Sequence, residues 1–219
     1  MSHSQQHKIW GPGLWRFMHT ISFHIPDVLD DETKDAFMDF FYALTLILPC
    51  TVCRYNVVES LVILGGLRVK LFETKKSTAQ FIYTLHNLIN QCVGKRQINP
   101  TIQTVERKYN KENTSQSWFW GPGLWAFLHT MSVNMPVVLS NAETEAVILF
   151  LRSLQVLIPC SVCRVHFIEN TENVVVSDIK SNKSLSLLIY DLHNTVNKGL
   201  NRKPYKTFKY VYDKYNLNP

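Results

Sequence analysis

Four of the five cysteines in this 219-residue chain stand in two Cys-x-x-Cys pairs, Pro49-Cys50-x-Val-Cys53-Arg54 and Pro159-Cys160-x-Val-Cys163-Arg164. A proline ahead of each pair breaks one helix and opens the next, which places the cysteines in a first turn. Two thiols at that spacing can close a disulfide, and the free amides and positive dipole end of the helix favour a thiolate. Such a pair is a two-electron redox couple. Arg54 and Arg164 add positive charge immediately after it. Three other uses compete. One zinc ion could take all four thiolates, but 106 residues lie between Cys53 and Cys160, far beyond the span of a structural zinc ribbon. A thioredoxin-like site needs a preceding strand, and helical patterns surround the motif here. Inert buried cysteines are disfavoured because the same six-residue pattern occurs twice. Cys92 is unpaired, Gly199 takes its place in the second half, and it is expected as a small buried apolar side chain.

The residues that must position these sulfurs are also duplicated. Trp10-Gly-Pro-Gly-Leu-Trp15-x-Phe-x-His19-Thr20 returns 110 positions later as Trp120 to Thr130, the same offset as the cysteines; Leu85-His86-Asn87 returns after 107 as Leu192-His193-Asn194. A fixed offset of this kind marks tandem structural units. The expected organisation is a first repeat at 1–110, a polar flexible linker at 111–117 and a second repeat at 118–219.

Apolar residues recur every three or four positions after Pro12 and Pro122, which are expected just inside helix starts. Further helices are expected at 31–48 and 142–158 with Asp30 and Asn141 as caps, at 54–64 and 164–170 behind the cysteines, and at 77–93 and 184–200 carrying His-Asn. A short fifth element should end near Tyr109 and Tyr215. Strand signals are weak, and Val174 to Val176 reads as loop. The fold class is all-α, two small bundles of four main helices plus a short fifth.

A net charge of +6 is spread over cations such as Lys108, Lys206 and Lys209, with no concentrated basic face or motif for nucleic acid. No apolar run approaches the roughly 18 residues of a spanning helix, and neither a secretory leader nor a membrane anchor is expected.

Taken in order, Trp-Gly-Pro-x-x-Trp-x-x-x-His, Leu/Ile-Pro-Cys-x-x-Cys and His-Asn-x-Ile/Val-Asn, with Gly94-Lys95 or Lys203-Pro204 after it, resemble the Erv/ALR family of FAD-dependent sulfhydryl oxidases across both repeats. The resemblance implies a bundle holding FAD non-covalently, two per chain, beside each Cys-x-x-Cys. Gly11, Trp15, His19 and Gly121, Trp125, His129 would line the flavin. His86, Asn87, Asn90 and Lys95 would hold it in one repeat; His193, Asn194, Asn197 and Arg202 or Lys203 would do so in the other. Tyr109 and Tyr215 would lie near it. Cys53 and Cys163 would face the flavin, and Cys50 and Cys160 would receive the substrate thiol. The second repeat has the family's His166-Phe167 behind its cysteines, where the first has Asn56-Val57.

These implications describe a thiol oxidase that makes protein disulfides and passes electrons through the cysteine pair and flavin to oxygen, giving hydrogen peroxide. The tails carry no cysteine pair to act as a shuttle, so the partner would be a thiol protein, a small Cys-x-x-Cys redox protein, that reaches the active cysteines directly. Relatives of this family are usually homodimers, and a tandem copy would pack as an internal pseudo-dimer. The alternative is a silent scaffold that keeps the fold for partner binding. By analogy with relatives in large DNA viruses, the expected setting is host cytoplasm or virion, with the mitochondrial intermembrane space as the other choice.

Overall fold

The structure, a computed structural model, describes residues 3–95 and 100–217. Ten α-helices account for them: α1 (His3–Phe23), α2 (Asp31–Ile47), α3 (Thr51–Ile63), α4 (Lys75–Cys92), α5 (Ile102–Tyr109), α6 (Ser117–Asn134), α7 (Asn141–Leu157), α8 (Ser161–Thr171), α9 (Asn182–Gly199) and α10 (Phe208–Tyr215). Five belong to each repeat. No strand occurs among the described residues, only a bridge between Val28 and Thr74 that ties the loop after α1 to the start of α4.

Local chemistry sets the helix starts. The Asp30 carboxylate accepts the Thr33 N–H at 2.8 Å and caps α2 as expected. In the second repeat the cap is Ser140 rather than Asn141. Glu143 lies three residues on and returns a bond to the Ser140 N–H at 2.9 Å, so the reciprocal box wins over a lone Asn. Pro12 and Pro122 lie inside α1 and α6, not at their starts. Each deprives only one carbonyl, four residues back, of its partner; those residues, Lys8 and Trp118, are exposed, so water can take its place.

The segment expected as a flexible linker is folded. Residues Glu112–Ser115 form a 3-10 turn, and the buried Thr114 hydroxyl donates to the Tyr109 carbonyl at 2.7 Å and meets His24 Nε2 at 2.8 Å. The end of the second repeat is fastened at the equivalent place, with Asn134 joining the Tyr215 carbonyl at 2.8 Å and the Leu217 N–H at 2.8 Å.

The most extensive helix contacts run between repeats, α2 on α7 and α1 on α6, and one apolar core passes through both. The contacts are reciprocal, as an isologous two-fold interface requires. Trp10 meets Phe127 with ring centres 5.8 Å apart, and Phe17 meets Trp120 at 5.5 Å. Phe40 meets its own counterpart Phe150 at 5.1 Å. The chain is an internal pseudo-dimer. At the α1/α6 crossing the two helices touch through backbone: a Cβ built on Gly13 would lie 2.5 Å from the Gly123 Cα, and one on Gly123 would lie 2.6 Å from the Gly13 Cα.

Gly13→Ala and Gly123→Ala should each lower stability by about 1–3 kcal/mol in urea unfolding, the usual cost of overfilling a packed site. The double variant should lose less than the sum, because one separation of the helices relieves both clashes. Additive losses would show that the two glycines do not share a contact.

Candidate functional site

Cys50 and Cys160 are the N-caps of α3 and α8. Their extended backbones let Sγ accept the N–H of Cys53 and Cys163, each at 3.2 Å. Each pair is closed as a disulfide, with Cα separations of 5.1 and 5.2 Å. The sulfurs therefore sit among the first free amides of a helix, which stabilise the thiolate released on reduction. Arg54 and Arg164 have a role that the sequence did not show. Their guanidinium Nη1 atoms donate to the carbonyls of Leu46 and Val156 at 3.0 Å each, in the last turn of α2 and α7. Each thus pins the start of the cysteine helix to the end of the helix before the proline.

The histidines form the second part of the site. His19 Nε2 lies 3.0 Å from His86 Nδ1, and His129 Nε2 lies 2.8 Å from His193 Nδ1. Trp15 stacks flat on His86, with centres 3.9 Å apart and 7° between planes; Trp125 covers His193 at 4.1 Å and 5°. Tyr109 stacks on His19 at 5.1 Å and Tyr215 on His129 at 5.2 Å. Two imidazoliums would place donors head to head, so the two rings of a pair cannot both be charged. Burial is the main cause and lowers His19 and His193 to about 4 and His86 and His129 to about 3. Nearby cations push the same way: Lys108 on His19, Lys95 on His86, Arg202 on His193 and Lys214 on His129.

Lys95 and Arg202 reach these rings because the chain doubles back after α4 and α9. Gly94 (φ 70°) and Asn201 (φ 53°) make the left-handed step, and the N–H of Lys95 and Arg202 then donate to the carbonyls of Asn90 and Asn197 at 2.9 and 2.8 Å. Arg202, rather than Lys203, is thus the counterpart of Lys95. A cavity of about 740 Å³ at this end is lined by Asn194, Lys198 and Arg202 among others.

A model of the Erv1/Alr family matches residues 12–112 and again 122–216. The chain belongs to the Erv1/Alr family. Three viral proteins named provisionally as FAD-linked sulfhydryl oxidases are similar to it. That of Acanthamoeba polyphaga mimivirus is 26% identical over 113 residues, covering 50% of this chain and 78% of the relative. That of Invertebrate iridescent virus 3 is 28% identical over 99 residues, 45% of this chain and 66% of the relative. That of Frog virus 3 (isolate Goorha) is 32% identical over 92 residues, 41% of this chain and 61% of the relative. Each match has about the length of one repeat, and the chain spans two thirds or less of the latter two relatives. No solved structure matches the chain at comparable significance.

The Erv1/Alr motif residues fall together in part. Trp15, His19, His86 and Tyr109 form one ring cluster, and Trp125, His129, His193 and Tyr215 the other. Gly11, Gly121, Asn90 and Asn197 are buried beside them on the same helices, while Asn87 and Asn194 are half-buried. Lys95, Arg202, Lys203 and His166 are exposed, and no ring contact joins His166 to its cluster among the described residues. Cys92 is exposed, contrary to expectation, because it ends α4 where the helix has left the core. Tyr205 escaped the sequence reading. Its ring packs on His193 at 4.6 Å, its N–H donates to Asn194 Oδ1 at 2.6 Å, and its hydroxyl meets Tyr215 at 3.0 Å and accepts from Lys214 at 3.1 Å. An aromatic directly after Pro204 was the available signal. Burial and the Tyr205 bond push Tyr215 up to about 12.

Because these four histidines stay neutral while the unfolded chain protonates near pH 6.5, the unfolded state binds more protons between about pH 6.5 and 4. Their contribution is complete above pH 6.5 and is lost as pH falls through that window. The denaturation midpoint should decline across it, and a His129→Gln, His193→Gln chain should take up about two fewer protons on unfolding. An equal slope in both chains would contradict the neutral pairs.

Proposed function

We propose that each repeat is a complete redox unit in which a client dithiol reduces the Cys-x-x-Cys disulfide and FAD carries the electron pair away. The chain is a flavin-linked thiol oxidase of the Erv1/Alr family. The observation that carries the reading is a disulfide at a helix N-terminus, packed against the helix bearing His-Asn, built twice in one chain.

A client thiolate attacks Cys50 or Cys160, the S–S bond breaks, and Cys53 or Cys163 leaves as a thiolate. The second client thiolate then attacks its own sulfur in the mixed disulfide and releases Cys50 or Cys160. The client loses two electrons and two protons, and the cysteine pair gains the electrons. Held by Trp15, His19 and His86, or by Trp125, His129 and His193, FAD would supply an acceptor for that electron pair and its transfer to oxygen as hydrogen peroxide. The helix N-terminus holds the departing thiolate, and the neutral histidine pairs keep the ring site uncharged.

The donor set fits FAD. The buried His19 Nδ1 has no hydrogen-bond partner among the described residues, which suits a ring edge. A Cβ on the buried Gly121 would meet nothing nearer than 4.0 Å, so there is room along that flank. Trp15 and Trp125 offer flat faces, and Lys95, Arg202 and Lys203 could neutralise a pyrophosphate. Gly11, His86, Asn87, Asn90, His166, His193, Asn194, Asn197, Tyr109 and Tyr215 complete the proposed binding set. We assign one FAD to each repeat, with repeats at 1–110 and 118–219 joined through 111–117. No helix among the described residues is long and apolar enough to cross a membrane. The proposed client is a small dithiol protein, and the proposed setting is host cytoplasm or virion, in keeping with the viral relatives.

Purified protein should be yellow, with about two flavin equivalents per chain, and should consume oxygen with dithiothreitol. Cys53→Ser or Cys163→Ser should each remove one half's share of turnover, and the double variant all of it. A colourless protein would favour the scaffold. Undiminished turnover in the double variant would overturn the route.

A further inference from the structure

The solvent face of α3 differs from that of α8 in a way the fold does not demand. Beside each disulfide both helices expose apolar residues: Val52, Tyr55 and Val58 on α3, Val162 and Val165 on α8. The next turn diverges. On α3 the patch continues through Val62 and Ile63, 70% and 67% exposed, whereas the equivalent positions after α8 are Glu172 and Asn173. The helix opposite diverges with it. Arg152 and Glu172 line one groove of about 560 Å³ with Glu32, Asp35 and Asp39 across it. The positions of Arg152 and Glu172 correspond to Tyr42 and Val62 in the first repeat, and both are exposed. The second copy is therefore polar where the first is apolar, on the same scaffold.

Positions 52, 55, 58, 62 and 63 lie on the exposed side of α3, opposite the buried Val57, Ser60 and Leu61, and run about 16 Å along the axis at 1.5 Å per residue; Glu59 lies among them and accepts the Tyr55 hydroxyl at 2.7 Å. Three exposed valines, an isoleucine and a tyrosine around one carboxylate make an apolar patch of the kind that marks a binding surface. Its near end adjoins the disulfide, the one place a client thiol has to touch. Cys50 is only 6% exposed, against a half-buried Cys160, so a client of the first half has more need of being held in place to reach the sulfur.

We propose that the α3 patch is a client-docking surface that restricts the first redox pair to dithiol proteins exposing apolar side chains next to their cysteines, while the second pair lacks this selection. The inference rests on the oxidase reading and names its client class. Val62 and Ile63 determine specificity without taking part in the sulfur chemistry.

The test uses two synthetic Cys-x-x-Cys peptides, one flanked by Leu and Ile and one by Ser and Asn. In full-length holoenzyme carrying Cys160→Ser and Cys163→Ser, the ratio of kcat/KM for the apolar over the polar peptide should exceed one. Adding Val62→Glu and Ile63→Asn, the second copy's residues, should lower it about tenfold. The reverse exchange, Glu172→Val and Asn173→Ile in a chain carrying Cys50→Ser and Cys53→Ser, should raise it. Binding of the apolar peptide with both cysteines replaced by serine is measured in parallel. A binding preference lost on Val62→Glu and Ile63→Asn would support docking even if turnover were absent, and absent turnover would count against the oxidase reading alone. Unchanged ratios and unchanged binding in both exchanges would overturn the proposal. So would a native mass of two chains that falls to one with Val62→Glu and Ile63→Asn, since the occupant would then be a second copy.

Discussion

The contact between α1 and α6 at Gly13 and Gly123 sets the geometry of the rest. Side chains would hold these helices several ångströms further apart; glycine lets their backbones meet. With that distance fixed, Trp10 and Trp120 each reach across to the partner repeat's phenylalanine, and Phe40 and Phe150 close the axis. The same helices carry Trp15, His19, Trp125 and His129 on their other faces, so the two ring clusters are referred to one shared seam. This is a packing constraint before it is a functional one.

Much of this was legible in the sequence, because the repeat offset, the proline breaks and the apolar spacing all report local or periodic chemistry. The helices behind Pro49 and Pro159 and those carrying His86 and His193 fall where the pattern places them within a few residues. What escaped was non-local. Gly13 and Gly123 read only as part of the duplicated Trp-Gly-Pro-Gly-Leu-Trp segment, since nothing along the chain says that one would touch the other. Arg54 and Arg164 read as charges near a thiol, while their bond to a carbonyl eight residues back depends on how two helices meet across a proline. Pro12 and Pro122 misled for the opposite reason: a local rule about helix starts gave way to a longer helix. Asn141 lost its cap to Ser140 because the reciprocal partner was three residues further on.

The candidate site combines two opposite electrostatic regimes. At the cysteines, open amides and a helix dipole welcome negative charge. At the histidines, burial and four cations suppress positive charge on rings that would otherwise titrate near neutrality. Each repeat thus pairs a region that stabilises an anion with a cluster of neutral aromatic rings that has cations nearby. Each regime follows from a simple placement: a sulfur as helix cap, and two imidazoles pressed between Trp and Tyr.

Carrying both sides of the two-fold seam on one polypeptide changes how the assembly behaves when scarce. Separate subunits part at low abundance by mass action, whereas tethered halves face each other at an effective concentration set by the connection, on the order of millimolar for a short one. The tight turn at Glu112–Ser115 leaves little slack in that tether. A protein built this way keeps its paired form from the first copy synthesised. Its two halves also need not share one sequence, so each can be refined without altering the other.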